Sequence, residues 1–164
     1  MIETNGSRLE KPALIAEIGG LIAAWQDATQ LYDEAVGEVF QLGPKERLCL
    51  SFLREGPQTA SAIAKATRLT PAAVTSLVDR LEARNFVIRR ADPSDRRKVW
   101  VEIGPATYEL IQQAYLPLAA AGERVFGKRN AAELLLVAAV IEEAMAVQRE
   151  MTEQLRTRMA SEKA

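Results

Sequence analysis

Between Pro12 and Val39, apolar or small residues recur at Leu14, Ile18, Leu21, Trp25, Ala28, Tyr32, Ala35 and Val39, in alternating steps of four and three. This is the spacing of one helical face. The stripe is narrow and longer than a typical globular helix requires, which predicts a helix packed lengthwise on other helices rather than a separate domain. Trp25 and Tyr32 lie on it and read as core or interface residues. A second pattern, Pro44 to Glu55, starts with Pro in the first turn, carries Leu48, Leu50, Phe52 and Leu53, and stops at Gly56-Pro57.

Two short helical patterns follow, Thr59 to Thr67 and Thr70 to Arg84, separated only by Arg68-Leu69. Thr59 caps the first, and Thr70 followed by Pro71 caps the second. Asn85 just beyond it suits a left-handed helix stop. Helices joined this tightly must cross steeply, which is helix-turn-helix geometry. Phe86 to Ala91 and Val99 to Ile103 are β-branched and aromatic runs flanking the charged, turn-forming segment 92–98, so they predict a hairpin. Pro105 opens a further helix, expected to bend near Pro117 or Gly122. Asn130 with Glu133 resembles a capping box opening a last helix to about Arg158. From Leu134 to Ile141 that helix is apolar all round and must be covered on more than one side.

Composition narrows the chemistry. The 164 residues include no histidine and one cysteine. Histidine-based nucleophilic catalysis, a helical His-Glu-x-x-His zinc site, a cysteine-built zinc cage and an internal disulfide are all excluded. Cys49 lies within an apolar helix and reads as a buried small hydrophobe in a reducing compartment. The polar start lacks a signal-peptide core and no apolar run is long enough to span a bilayer, so a cytoplasmic location is expected. Glu142 and Glu143 are the only tempting carboxylate pair, but neighbours on a helix point about 100° apart and do not converge on one site. No enzyme, metal or cofactor is expected.

The net charge of −1 conceals a segregation. Residues 1–43 sum to −5, residues 44–103 to +5 and residues 104–164 to −1. An anionic partner for the middle segment follows. On a helical wheel Val74, Leu77, Val78 and Leu81 form the apolar face of the second helix-turn-helix element. The other side offers Thr70, Ala72, Ala73, Thr75, Ser76 and Arg80, small or polar with one long cation, which suits close approach in a DNA major groove. Asp79 beside them is unfavourable near phosphates unless it orients Arg80 or Arg84, or accepts from a cytosine amino group. The hairpin adds Arg89 and Arg90 on its first strand and Arg96, Arg97 and Lys98 at its tip, a thin cationic probe fitted to a minor groove. Asp95 is close enough to hold a tip guanidinium in one orientation.

These residues resemble the multiple-antibiotic-resistance regulator (MarR) family of bacterial winged-helix repressors, on Leu77-Val-Asp-Arg-Leu-Glu82, Asn85-Phe-Val and above all Asp92-Pro-Ser-Asp-Arg-Arg97. The resemblance covers nearly the whole chain. It implies a mainly α fold with a small β-hairpin wing: a winged helix-turn-helix over 44–103, flanked by helical dimerisation regions over 12–43 and 104–160. It also implies that Arg97 enters the minor groove with Asp95 as its orienter, and that Thr70 to Arg84 is the recognition helix. The partners implied are a second copy of the chain, a pseudo-palindromic double-stranded operator, and a small aromatic or anionic effector that releases it. Trp25, Tyr32, Phe40 and Phe52 are candidates to line the effector site, although each also reads as plain core. Three positions depart from the pattern: Arg68 and Asn85 where Gly is common, and Gly104-Pro105 where Thr is usual. The alternative function is a winged-helix protein-interaction module without specific DNA binding.

Overall fold

The structure is a computed structural model that describes residues 10–95 and 98–161. Its elements run α1 (Lys11–Val39), α2 (Pro44–Leu53), β1 (Gln58–Thr59), α3 (Ala60–Thr67), α4 (Pro71–Ala83), β2 (Val87–Ala91), β3 (Val99–Ile103), α5 (Pro105–Leu110), a π-helical segment (Ile111–Tyr115), α6 (Leu116–Phe126) and α7 (Ala131–Ser161). The chain divides into two compact units, one ending at Ala114 and the other beginning at Tyr115.

The core of the first unit joins the helix-turn-helix to the sheet. Leu53 of α2, Ile63 of α3, Leu77 and Leu81 of α4, and Val87 of β2 are almost fully buried. The four apolar positions predicted for one face of α4 are all buried. The core continues past both Gly-Pro pairs, because Val36, Leu42, Thr107 and Leu110 are buried too. The sheet has three antiparallel strands in the order β1-β3-β2. The expected hairpin is β2 with β3, in the register Val87↔Ile103 and Ala91↔Val99. β1, which the sequence pattern does not indicate, adds only Gln58 and Thr59 against Val101 and Trp100.

Helix ends follow local chemistry. Thr59 Oγ1 and Thr70 Oγ1 each accept from a backbone N–H three residues on, at 3.3 Å, as predicted for both caps. α1 and α4 close in the same way. Gln41 (φ 51°) and Asn85 (φ 58°) are left-handed, and the next residues, Leu42 and Phe86, send their N–H groups back to Gly37 and Leu81 at 2.8 and 2.9 Å. This is a Schellman closure with a buried hydrophobic residue behind each turn. Arg68 is left-handed as well, at φ 55°, where an L side chain carries a steric cost that Gly would not.

At Gly104 the backbones of two elements meet. A Cβ there would lie 2.5 Å from the Asn85 carbonyl oxygen. The Gly104 N–H donates to Phe86 at 2.8 Å, and the Thr107 hydroxyl donates to the same carbonyl at 2.5 Å. The departure at this position is thus a requirement of close approach between the end of the sheet and the end of α4.

The irregularity expected near Pro117 or Gly122 occurs just before Pro117, as the π segment. A proline ring in a helix removes one N–H and crowds the carbonyl four residues earlier, and the wider turn relieves both. In the second unit α7 begins with the predicted capping box: Glu133 N–H donates to Asn130 Oδ1 at 3.0 Å, and Asn130 N–H donates to Glu133 Oε2 at 2.9 Å. Leu135 and Leu136 of α7 are 71% and 66% exposed. No described helix is long and apolar enough to cross a membrane.

Candidate nucleic-acid interface

The face of α4 opposite its buried stripe presents Ala72, Thr75, Ser76, Asp79 and Arg80 to solvent, with Thr70 exposed at its cap and Ala73 half-buried. Thr75 and Ser76 donate their hydroxyl protons to carbonyls one turn back, Pro71 at 3.1 Å and Ala72 at 3.2 Å. The hydroxyl oxygens still face outward as acceptors, and a modest rotation turns the protons toward a ligand. Small side chains at Ala72, Thr75 and Ser76 leave the helix backbone approachable.

The cations around this face are not equivalent. Arg80 is 60% exposed and sits 3.4 Å from Glu46, whose other oxygen caps the start of α2 by accepting from Gly43 N–H at 2.9 Å. Arg84 turns away from the exposed face. It donates to the carbonyls of Phe40 at 2.6 Å and Gln41 at 2.8 Å, and lies over the Phe86 ring. A cation on the last carbonyls of α1 answers the negative end of its dipole. Asp79 orients neither Arg80 nor Arg84, the two partners suggested by sequence proximity. It accepts from Arg89 of β2 at 2.6 Å, and Arg89 also holds Glu82. Burial disfavours the Arg89 charge, but hydrogen bonds to these carboxylates outweigh it and the guanidinium pKa is raised. Arg90 faces Glu102 at 3.4 Å. Of the two first-strand arginines counted as wing probes, Arg89 is thus committed within the fold, whereas Arg90 stays 62% exposed.

The base of the wing is organised by a residue that sequence reasoning passed over. Asp92 Oδ1 accepts from Ser94 N–H at 2.8 Å, Ser94 Oγ at 2.6 Å and Asp95 N–H at 3.2 Å. Its Oδ2 accepts from the indole of Trp100 at 2.8 Å, with Lys98 at 3.9 Å. The bonds from Ser94 and Trp100 hold the carboxyl far below the usual carboxylate range. Lys98 also sits over the Trp100 ring at 4.1 Å. The Asp92 N–H to Lys98 carbonyl bond and the Lys98 N–H to Asp95 carbonyl bond, both 2.9 Å, close the loop. Arg96 and Arg97 lie outside the described residues; the anchors on either side of them, Asp95 and Lys98, are fixed by these bonds. The signal available in the sequence was an Asx turn at Asp92-Pro-Ser.

The four effector candidates differ in exposure. Trp25 is 60% exposed on α1. Tyr32 is half-buried and donates its hydroxyl to the Ala114 carbonyl of the π segment at 2.7 Å. Phe40 caps the end of α1, and Phe52 is half-buried on α2. Cys49 is fully buried, and burial with the nearby Glu46 charge pushes its thiol up to about 12. Among the described residues no group of three or more His, Cys, Asp or Glu side chains is arranged to hold a metal ion.

Comparison with known proteins gives this geometry its setting. The MarR family profile matches residues 49–99, from the middle of α2 to the start of β3. An HTH-type transcriptional regulator of Bacillus subtilis, YcgE, itself described as uncharacterized, is 32% identical over 129 residues, covering 78% of this chain and 84% of that protein. The HTH-type transcriptional repressor NicR of Pseudomonas putida is 32% identical over 124 residues, 74% and 77% of the two chains. Among solved structures, a MepR mutant from S. aureus aligns with a TM-score of 0.63 at 16% identity, over 80% of this chain and 96% of that one. A second MepR mutant, bound to an oligodeoxyribonucleotide, aligns at 0.53 and 17% identity over 82% and 97%. The family match spans the helix-turn-helix and runs into the second wing strand, the relatives extend the sequence likeness over most of the chain, and the solved structures share its fold; the chain belongs to the MarR family of transcriptional regulators.

Proposed function

We propose that this regulator is a homodimeric repressor that binds a pseudo-palindromic operator, with α4 in the major groove and the wing tip in the flanking minor groove. The observation that carries the reading is the division of α4. Its apolar residues are buried against the sheet while Ala72, Thr75, Ser76 and Arg80 stay exposed, beside a wing whose base is cross-braced by Asp92. In this reading Thr70, Ala72, Ala73, Thr75, Ser76 and Arg80 meet base edges and phosphates, and Asp95, Arg96, Arg97 and Lys98 form the wing contact.

Segments 12–43 and 104–160 supply the dimer interface and 44–103 the DNA-binding domain. Leu14, Ile18, Leu21 and Trp25 of α1 are 43%, 51%, 63% and 60% exposed, and so long an apolar stripe needs a partner surface. Two-fold symmetry then sets half-sites about one helical turn apart. A small aromatic or anionic effector acting near Trp25, Tyr32, Phe40 and Phe52 is the proposed release signal. With no histidine and a buried Cys49, a proton switch near neutral pH or a thiol switch has no evident carrier. The repressor sign is supported by NicR's description, and DNA binding by the oligonucleotide complex of MepR.

A gel shift against the DNA upstream of the protein's own gene, with light scattering to count the chains, tests the reading. A dimer that shifts this DNA in preference to unrelated DNA supports it. A monomer, or equal affinity for all DNA, contradicts it.

A further inference from the structure

Strand alternation places Arg89 on the same face of β2 as Val87, which is fully buried, and on the opposite face from Ile88 and Arg90. The side chain of Arg89 is only 29% exposed, against 62% for Arg90. An arginine directed toward a core needs acceptors for its N–H groups, and α4 supplies two carboxylates, Asp79 and Glu82, three residues apart on one helical face. Asp79 in turn is 58% exposed and lies one turn beyond Thr75 on the outward side of α4. Left uncompensated, its charge would stand beside the phosphates that Thr75, Ser76 and Arg80 are proposed to meet.

We propose that Arg89 is the positioning residue of the DNA-binding surface: its guanidinium pins Asp79 and Glu82, which offsets one of their two negative charges, holds both carboxylates toward the strand, and locks α4 to the first strand of the wing. The inference rests on the DNA reading above and assigns Arg89 no contact with DNA. One planar fork meets two carboxylates from a neighbouring element, so the angle between helix and wing is set by hydrogen-bond geometry as well as by packing. The major-groove and minor-groove probes then reach DNA as one rigid surface.

The test is a mutant cycle in full-length protein, read by fluorescence anisotropy on an operator selected from random DNA. Arg89→Gln is expected to lower operator affinity about tenfold, the scale of one misplaced base contact, with the salt slope kept. In a background carrying Asp79→Asn and Glu82→Gln, the same Arg89→Gln change is expected to cost less than about threefold, because the charge it compensates is gone. Arg89→Lys, which keeps the charge but not the fork, gives a partial loss and serves if the Gln variant does not fold; an affinity equal to wild type in that variant would overturn the role of the fork. Unchanged affinity in a folded Arg89→Gln variant overturns the proposal. A loss that persists without the two carboxylates, with a salt slope shallower by about 0.9, also overturns it by making Arg89 a phosphate ligand. Wild-type protein that selects no sequence overturns the DNA reading and this inference with it, an outcome distinct from any result within the cycle.

Discussion

The indole N–H of Trp100 donates to Oδ2 of Asp92 at 2.8 Å and so ties the second strand of the wing to the start of its loop. The other oxygen of the same carboxylate gathers the Ser94 and Asp95 amides. Asp92→Asn keeps the shape but loses the charge, and exchange of those two amides should accelerate. In the wild-type protein the folded pKa lies below the unfolded one, so the stabilisation is complete above about pH 4 and is lost only as pH falls through the lowered value. Amide exchange of Ser94 and Asp95, corrected for intrinsic rates, should therefore stay slow from neutral pH down past pH 4. Loss of protection between pH 5 and 4 would refute this role.

Gly104 carries a steric demand. Ala at this position brings its Cβ against the Asn85 carbonyl, a backbone atom that cannot swing aside. The expected cost is about 1–3 kcal/mol, as for other overpacked sites, read as a lower urea midpoint with unchanged slope. A variant as stable as wild type would show that the end of the sheet can move away from α4.

Cys49 should be chemically silent in the native state. With its thiol pushed up to about 12 and its side chain buried, almost no thiolate exists at neutral pH. Labelling by an alkylating reagent at pH 7.5 should proceed only at the rate of unfolding, and should become rapid in urea. Fast labelling of folded protein would reopen an oxidant-driven switch.

Much of the fold was legible because its signals are local. Thr59, Thr70, Asn85 and Asn130 act through backbone atoms within a few residues, and each does what its type and position suggest. The four buried residues of α4 follow from helical periodicity alone. Strand β1 was not legible, since two residues show no alternation and their partners lie more than forty positions away. The candidate surface was readable as a set of residue types but not as a set of partnerships. Arg80, Arg84, Arg89 and Arg90 look alike in sequence, whereas tertiary packing turns Arg84 to the end of α1 and Arg89 to the carboxylates of α4. Charge segregation pointed to the candidate surface, and only the fold separates its outward-facing cations from those bonded within the protein.

The central claim is that α4 and the wing tip bind DNA together, and Arg97 tests it most directly. Operator affinity of Arg97→Ala should be measured beside wild type by anisotropy across a salt series, with circular dichroism to confirm folding. The account predicts an affinity lower by about tenfold or more and a log–log salt slope shallower by about 0.9, the share of one phosphate-neutralising cation. An affinity and slope identical to wild type would contradict it.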